Sequence, residues 1–454
     1  MKKNLILLAA SVFILSSCGI YSSYKPAEEV ADDLFGEEYA SEDTTTIANI
    51  AWEEIFTDPY LQQLINQALE VNTDYLSAQL RVEEAQATLL SSKLAYLPSL
   101  YFSPYGTAAS WDRGKATQVY SIPVTASWEL DFFGNIRNAK RQSQALLAQS
   151  KDYQQAVRSA LIANVANTYY TLLMLDEQMK LTLETEKAWK ETVRSARALM
   201  AAGQYNEAGV AQMEATYYSV QTSVSDLRES INQTENAMAQ ILAETPRHYE
   251  RGTLAEQNFD IEYAAGVPVQ LLANRPDVRQ AERSLEAAFY ATNASRSAFY
   301  PNITLSGSAG WTNSTGSAII NPGKLLASAT ASLTQPIFAR GQLIAQLKIA
   351  KAQQEEASLN FQQTVLNAGA EVNNALTALQ VSREKNDLLA KQVEALEKAL
   401  RSTSLLMEYG NTTYLEVLTA RQTLLSAQLS QVANKVTEIQ SIISLYQALG
   451  GGRE

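Results

Sequence analysis

Residues 92–106, SKLAYLPSLYFSPYG, and residues 295–310, SRSAFYPNITLSGSAG, are two versions of one text. In each, an Ala-rich helical pattern stops at a proline, Pro98 or Pro301, and residues alternating between apolar and small-polar follow. A helical period gives way to a period of two, the passage from an amphipathic helix to a strand whose faces meet different media. Other landmarks recur in step: Phe133-Gly134 is answered by Phe338 and Gly341, and the turn at Gly203 by the turn at Gly410. The offset stays near about 205 residues, the mark of an internal duplication. Each copy reads helix, strand, strand, very long helix, tight turn, helix.

The 454 residues would suit two or three ordinary domains, but the composition favours extended helices. Charged residues make up 19%, glycine is scarce, and Ala, Leu, Gln and Ser fill long periodic runs. A net charge of −12 argues against nucleic acid and suits a solvated acidic surface or a lumen that tolerates cations. One cysteine and one histidine exclude an intramolecular disulfide, a Cys/His zinc site and a Cys–His nucleophile pair. No Ser–His pair or phosphate-binding glycine loop can be placed, so an enzyme is the weakest class and no cofactor or metal is expected. His248, among Arg247, Glu250 and Arg251, is expected to be solvated on a connector.

Met1-Lys2-Lys3 and the apolar run Leu5 to Leu15 form a signal segment, since a spanning helix needs roughly 20 residues. The run ends in Leu15-Ser16-Ser17-Cys18-Gly19, the pattern of a bacterial lipobox. Residues 1–17 are thus expected to be removed, leaving Cys18 with an S-diacylglycerol and an N-acyl chain, enough for stable attachment to lipid. Residues 18–51, with Pro26 and the acidic pairs Glu28-Glu29, Asp32-Asp33 and Glu37-Glu38, read as a lipid-anchored linker.

The first structural repeat covers 52–245, a connector 246–270, the second repeat 271–449 and a C-terminal tail 450–454. Trp52, Phe56, Leu61, Leu64, Ile65, Ala68 and Leu69 fall at three- and four-residue steps, which predicts a helix from Pro59 to about Tyr96. Two strands follow. The second alternates Tyr120, Ile122, Val124, Ala126, Trp128 and Leu130 with smaller polar residues, although Pro123 is awkward in a ladder. In the second copy, Ile303 to Trp311 and Leu325 to Thr334 alternate likewise. Such segments match outer-membrane barrel strands, and a water-facing sheet packed on the helices is the alternative. Four strands cannot close, because the smallest membrane barrels need about eight and open edges are not tolerated in hydrocarbon. If these strands lie in lipid, several chains must share one barrel.

Between Gly134 and Gly203 there is neither proline nor glycine, and between Gly341 and Gly410 only Gly369 intervenes. An unbroken helix over either run would be roughly 100 Å long. In the first, Ala156, Ala160, Ala163, Asn167, Tyr170 and Met174 form one stripe, and Val157, Leu161, Val165, Leu172 and Leu175 another. Two adjacent seams suit a stave in a cylinder, whereas a two-stranded coiled coil needs only one. Gly203 and Gly410 suit the left-handed residue that closes a helix, and Thr413-x-x-Glu416 is a capping-box pattern. At Asn274-Arg275-Pro276-Asp277, Pro276 suits a first helical position and Asp277 the positive helix end.

The chain resembles the TolC-like outer-membrane efflux factors, in particular the lipoprotein branch associated with resistance-nodulation-division pumps. The resemblance runs from Cys18 to about Leu449. It rests on Trp52-x3-Phe56-x-Asp58 with the Leu-Ile and Ala-Leu pairs that follow, Ser127-Trp128-Glu129-Leu130-Asp131-Phe132-Phe133-Gly134, Leu271-Leu272-x2-Arg275-Pro276-Asp277-Val278 with Ala281-Glu282, and Phe299-Tyr300-Pro301. It implies an α+β membrane protein: a homotrimer with a 12-stranded transmembrane β-barrel, four strands per chain, continued by a long periplasmic α-helical barrel. It further implies an exit duct that exports small molecules or metal ions, docked on a periplasmic membrane-fusion adaptor and an inner-membrane pump. The contact with the adaptor would fall at the hairpin tips, at Gly203, Tyr205, Gly410 and Asn411.

The family closes its periplasmic end with aspartates and an Arg–Tyr network, and this sequence departs there. The family aspartates align near Gly209 and Thr419, while Met407 and Thr412 stand where Tyr and Arg can occur. The nearest carboxylates, Glu207 and Glu416, are the gate candidates, repeated copies of which would repel and prefer cations. The bland alternative is that both only complement helix ends. Competing functions are the exit duct of a type I protein secretion system and a non-conducting helical tether.

Overall fold

The computed structural model describes residues 23–25, 50–257, 259, 274–312, 324–409 and 414–452. Cys18, Leu271, Leu272, Gly410, Asn411, Thr412 and Thr413 lie outside the described residues. In chain order α1 (Trp52–Ile55), α2 (Pro59–Val71) and α3 (Thr73–Leu94) precede β1 (Ser99–Phe102), β2 (Tyr105–Ala109) and β3 (Thr117–Leu130). Then come α4 (Asn135–Ala201), α5 (Glu207–Ile241) and a 3-10 turn at Leu254–Glu256. The second half holds α6 (Pro276–Ser297), β4 (Asn302–Thr312), β5 (Lys324–Thr334), α7 (Gln342–Glu408) and α8 (Tyr414–Ala448). The halves match helix by helix: α3 and α6 have 22 residues each, α4 and α7 67, and α5 and α8 35.

The chain divides into two compact units. One comprises Met1–Glu29, Leu80–Asp152 and Arg279–Gln363, and contains the sheet. Here β1 and β2 both pair antiparallel with β3, β3 with β4, and β4 with β5. The single strand expected ahead of β3 is therefore two pieces in line, because Ser103-Pro104 interrupt it and proline has no N–H for the ladder. Pro123 falls opposite this interruption, where Ser103 N–H donates to its carbonyl at 3.3 Å. On its other side Pro123 faces Gly310, where a Cβ would run into the Ile122 carbonyl and the Pro123 Cα. The proline is accommodated by a gap on one flank and a glycine on the other.

The register gathers side chains into rows across the sheet. One face carries Phe102, Val124, Ala309 and Ala327, then Leu100, Ala126, Gly307 and Ala329, then Trp128, Leu305 and Ala331. The other carries Ser99, Ser127, Ser306 and Thr330, then Tyr101, Thr125, Ser308 and Ser328. Ser308 and Ser328 hydroxyls bond at 2.8 Å, and Asn302 Nδ2 donates to Glu129 Oε1 at 3.0 Å. At the sheet's base the Asp131 carboxylate accepts from Ile136 N at 3.1 Å and Arg137 N at 2.8 Å, starting α4. Phe133 stacks on Tyr300 at 5.2 Å, joining equivalent places of the two halves.

The second unit comprises Val30–Gln79, Tyr153–Val278 and Thr364–Glu454. Asp58 caps α2 by accepting from Tyr60 N at 2.9 Å, with Pro59 at the first helical position. The one helix expected over 59–96 is broken at Asn72, which is extended (φ −63°, ψ 126°). Its Oδ1 accepts from Asp74 N and Tyr75 N at 3.1 Å each, and its Nδ2 donates to Ile241 O at 2.9 Å. A side chain that satisfies the orphan donors of a new helix competes with continuing the old one. Along α4, Leu161, Val165, Leu172 and Leu175 are buried as the second stripe requires, but Ala160 is exposed. A third face, Ile162, Ala166, Tyr169 and Leu173, is buried as well. The reason is local wrapping: the Tyr169 hydroxyl donates to Asp58 Oδ2 at 2.6 Å and accepts from Gly252 N at 3.0 Å.

Candidate channel, collar and hairpin-end sites

The apolar face of the sheet has no cover within the described chain. Leu100, Phe102, Leu325 and Leu333 are each about two-thirds exposed (69%, 66%, 66% and 65%). Burying apolar surface is worth about 25 cal/mol per Å², so such a band needs an apolar medium or partner. Among the described residues β1, β2 and β5 pair on one side only, which leaves two edges of ladder groups. Trp128 and Trp311 lie near opposite ends of this face, and Trp128 Nε1 donates to Tyr96 O at 2.9 Å. Aromatic residues at the margins of an apolar band suit the two interfaces of a bilayer. No described helix is long and apolar enough to cross a membrane.

In the second unit a collar forms around Arg275, which is buried (6% exposed). Its Nε and Nη2 reach the Asp277 carboxylate at 3.0 and 2.8 Å, Nη2 also meets Glu371 Oε2 at 2.6 Å, and Nη1 donates to Ala448 O at 2.8 Å. Burial by itself would raise the Asp277 carboxyl, but the Arg275 guanidinium and the Val278 N–H outweigh it and hold it below its usual value. The Arg-Pro-Asp motif is thus a clamp on the carboxyl end of α8. Past that end, Ser159 Oγ donates to Gly451 O at 2.7 Å, and Arg158 Nη1 to Gly452 O at 3.0 Å. Gly450 and Gly452 have φ of +82° and +78°, so this glycine run is shaped to fit and is not a loose tail. His248 is exposed, as expected, and bonds Glu235 at 2.8 Å. Sequence periodicity missed its neighbour Arg251, whose guanidinium pairs with Asp176 and, at 2.8 Å, with Glu235.

At the first hairpin end, Gly203 (φ +74°) closes α4: its N–H bonds Met200 O at 3.0 Å, and Gln204 N–H bonds Leu199 O at 2.9 Å. Asn206 opens α5 by accepting from Gly209 N at 2.7 Å. Tyr205 is half-buried with its ring over Gly209, where a Cβ would collide with that ring. Beneath lies a core of Trp189, Val193, Ala196, Val210, Met213 and Val220, with Leu418 of α8. Trp189, Val193 and Ala196 stand at helical spacing, a signal from which this core was legible. Glu207 is exposed in the first turn of α5, Glu416 is exposed in the first turn of α8, and Met407 is half-buried in the last turn of α7. A link that the sequence did not suggest joins the hairpins: Arg421 Nη1 to Thr192 Oγ1 at 3.4 Å. Among the described residues no group of three or more His, Cys, Asp or Glu could hold a metal.

A sheet with one apolar and one polar face, in a chain that also forms two long helical hairpins, defines the class of outer-membrane channel proteins. The sequence profile described as "Outer membrane efflux protein" matches residues 64–244 and 267–451. The chain belongs to the outer membrane efflux protein family. It is 27% identical over 407 residues to "Cation efflux system protein CusC" of Escherichia coli O6:H1, covering 89% of this chain and 88% of that one. It is 26% identical over 460 residues to "Probable outer membrane lipoprotein SilC" of Salmonella typhimurium, covering 100% and 99%. The open-state crystal structure of the Neisseria gonorrhoeae MtrE outer membrane channel superposes with a TM-score of 0.86 at 29% identity, covering 96% of this chain and 98% of that one.

Proposed function

We propose that the chain is one protomer of a homotrimeric exit duct in the outer membrane. Each copy contributes four strand lengths to a shared 12-stranded barrel and its long hairpins to a tunnel across the periplasm. The observation that carries this reading is an apolar face uncovered, between two edges unpaired, among the described residues, which lipid and neighbouring copies satisfy together. The duct receives small molecules or metal ions from an inner-membrane pump through a periplasmic adaptor, as the resemblance implies. The likeness to CusC, a cation efflux system protein, favours the metal-ion reading among these. Cys18 anchors the chain through its acyl chains, a reading supported by the lipobox and by the lipoprotein SilC.

The hairpin ends at Gly203, Tyr205, Gly410 and Asn411 meet the adaptor in this reading. Glu207 and Glu416, with Met407 and Thr412, narrow the periplasmic mouth, and repeated carboxylates there select cations. Planar-bilayer recording of the purified protein tests both levels. A conducting pore is expected, and Glu207→Gln with Glu416→Gln should lower its cation preference. Absence of any conductance would favour the tether, and unchanged selectivity in the double variant would remove the two carboxylates from the gate.

A further inference from the structure

A cavity of about 610 Å³ opens within the unit that carries the sheet, and Tyr24, Lys25, Phe289, Arg296, Lys351 and Glu355 are on its lining. Among the described lining residues three cations stand with one carboxylate, and Glu282, Glu286 and Arg283 of α6 act on Tyr24 from beside it. Elsewhere on α6 the arginines are neutralised: Arg279 pairs with Asp152 at 2.9 Å and Arg283 with Glu286 at 3.0 Å. The cations of the cavity differ. Among the described residues Arg296 has only a long 3.4 Å contact with Asn293 Oδ1, and neither Lys25 nor Lys351 is held in an ion pair. Tyr24 stands edge-on to Phe289 at 5.6 Å and supplies an apolar patch beside these charges.

The position is as telling as the charge. Arg296 is in the last turn of α6, and β4 begins at Asn302, with Ile303 the first residue of its apolar face. Lys351 lies about 14 Å along α7 from the start of that helix, at 1.5 Å per residue. The cavity therefore begins where lipid headgroups border the apolar band and extends a turn or two into the aqueous side. Ser23 is separated from Cys18 by so few residues that at most about 17 Å of extended chain lies between them.

We propose that this cavity binds the phosphate-bearing headgroup of an anionic phospholipid from the periplasmic leaflet of the outer membrane. Lys25, Arg296 and Lys351 face the phosphate, and the Tyr24–Phe289 pair lies against the glycerol. The proposal rests on the reading that the sheet sits in lipid. Basic pockets at membrane boundaries recognise anionic headgroups by this chemistry, and each cation near the surface strengthens binding about fivefold.

Native mass spectrometry of the full protein extracted in detergent, with phosphatidylglycerol, phosphatidylethanolamine or inorganic phosphate added, tests it. Wild type should retain phosphatidylglycerol in clear preference to phosphatidylethanolamine. Lys25→Gln and Lys351→Gln, both exposed, should each reduce that retention about fivefold, with the thermal unfolding midpoint unchanged. Equal retention of the two lipids by wild type, or equal retention of phosphatidylglycerol by wild type and the double variant, would overturn the site. Displacement by millimolar inorganic phosphate without lipid preference would assign the pocket to a free anion and overturn the lipid. A sheet not in lipid would show itself separately, as absence of every lipid adduct in wild type and variants alike.

Discussion

Asn72 and Arg275 stand at equivalent places in the two halves, each immediately before a 22-residue helix. Each reaches the carbonyl of the last residue of its half's returning helix. Asn72 Nδ2 meets Ile241 O at 2.9 Å, and Arg275 Nη1 meets Ala448 O at 2.8 Å. The frame has kept its lengths while the staple has changed from a neutral amide to a buried cation with two carboxylates. What is held constant is a donor for the exposed carboxyl end of a helix, and the cation adds an attraction to that end. The hairpin ends diverge too. The first rests on the buried Trp189 and Met213, whereas Leu405, Tyr409 and Leu415 of the second are exposed.

This contrast can be broken experimentally, beginning where the effect should be largest. Met213→Ala removes a fully buried side chain and should cost about 3 kcal/mol, while Leu405→Ala in the isolated protomer should cost under about 0.5 kcal/mol. Denaturant unfolding of detergent-solubilised protein would check both, and equal losses would erase the distinction between the ends. Arg275→Ala should cost about 2–3 kcal/mol, because charge-assisted bonds to Asp277, Glu371 and the α8 terminus go together. Asn72→Ala should cost about 1 kcal/mol, the ordinary value for losing a cap. If Asn72→Ala proved the worse of the two, the charged staple would add nothing to the neutral one.

The two staples should also respond differently to acid. The Asp277 carboxyl is held below its usual value in the folded chain, so its contribution is present above the ordinary carboxylate range and is lost as pH falls through the depressed folded value. Thermal midpoints of wild type should fall on acidification more steeply than those of Arg275→Met, in which the cause of the depression is gone. Smallest of all, Arg421→Ala should change stability by under about 1 kcal/mol, the scale of one exposed or long polar contact, yet raise single-channel conductance by loosening the second hairpin from Thr192. Conductance equal to wild type would make that contact incidental.

Much of the frame was legible because it is local. Alternation marked Ile303–Trp311 and Leu325–Thr334, and the lack of helix breakers between Gly134 and Gly203 marked α4. The break at Asn72 was not, since the apolar spacing continues on both sides and the carbonyl it serves is 169 residues away. The third buried face of α4 was hidden for the same reason: Tyr169 is enclosed by Asp58 and Gly252, which are remote in sequence. The Arg275 motif announced a helix start, but its grip on Ala448 depends on the fold. At the hairpin ends, Glu207 and Glu416 were singled out by position, while the Arg421–Thr192 contact joins helices that no sequence spacing relates.

Pro123 against Gly310 has a consequence for how such a sheet comes together. A strand displaced by two residues keeps its apolar face, so hydrophobicity alone forgives that error. Here the same displacement would slide Ser308 or Thr312 beneath the proline, into a notch where even a first side-chain carbon collides with Ile122 and Pro123. A single tooth and a single notch thus act as a key that penalises the very register error hydrophobicity forgives.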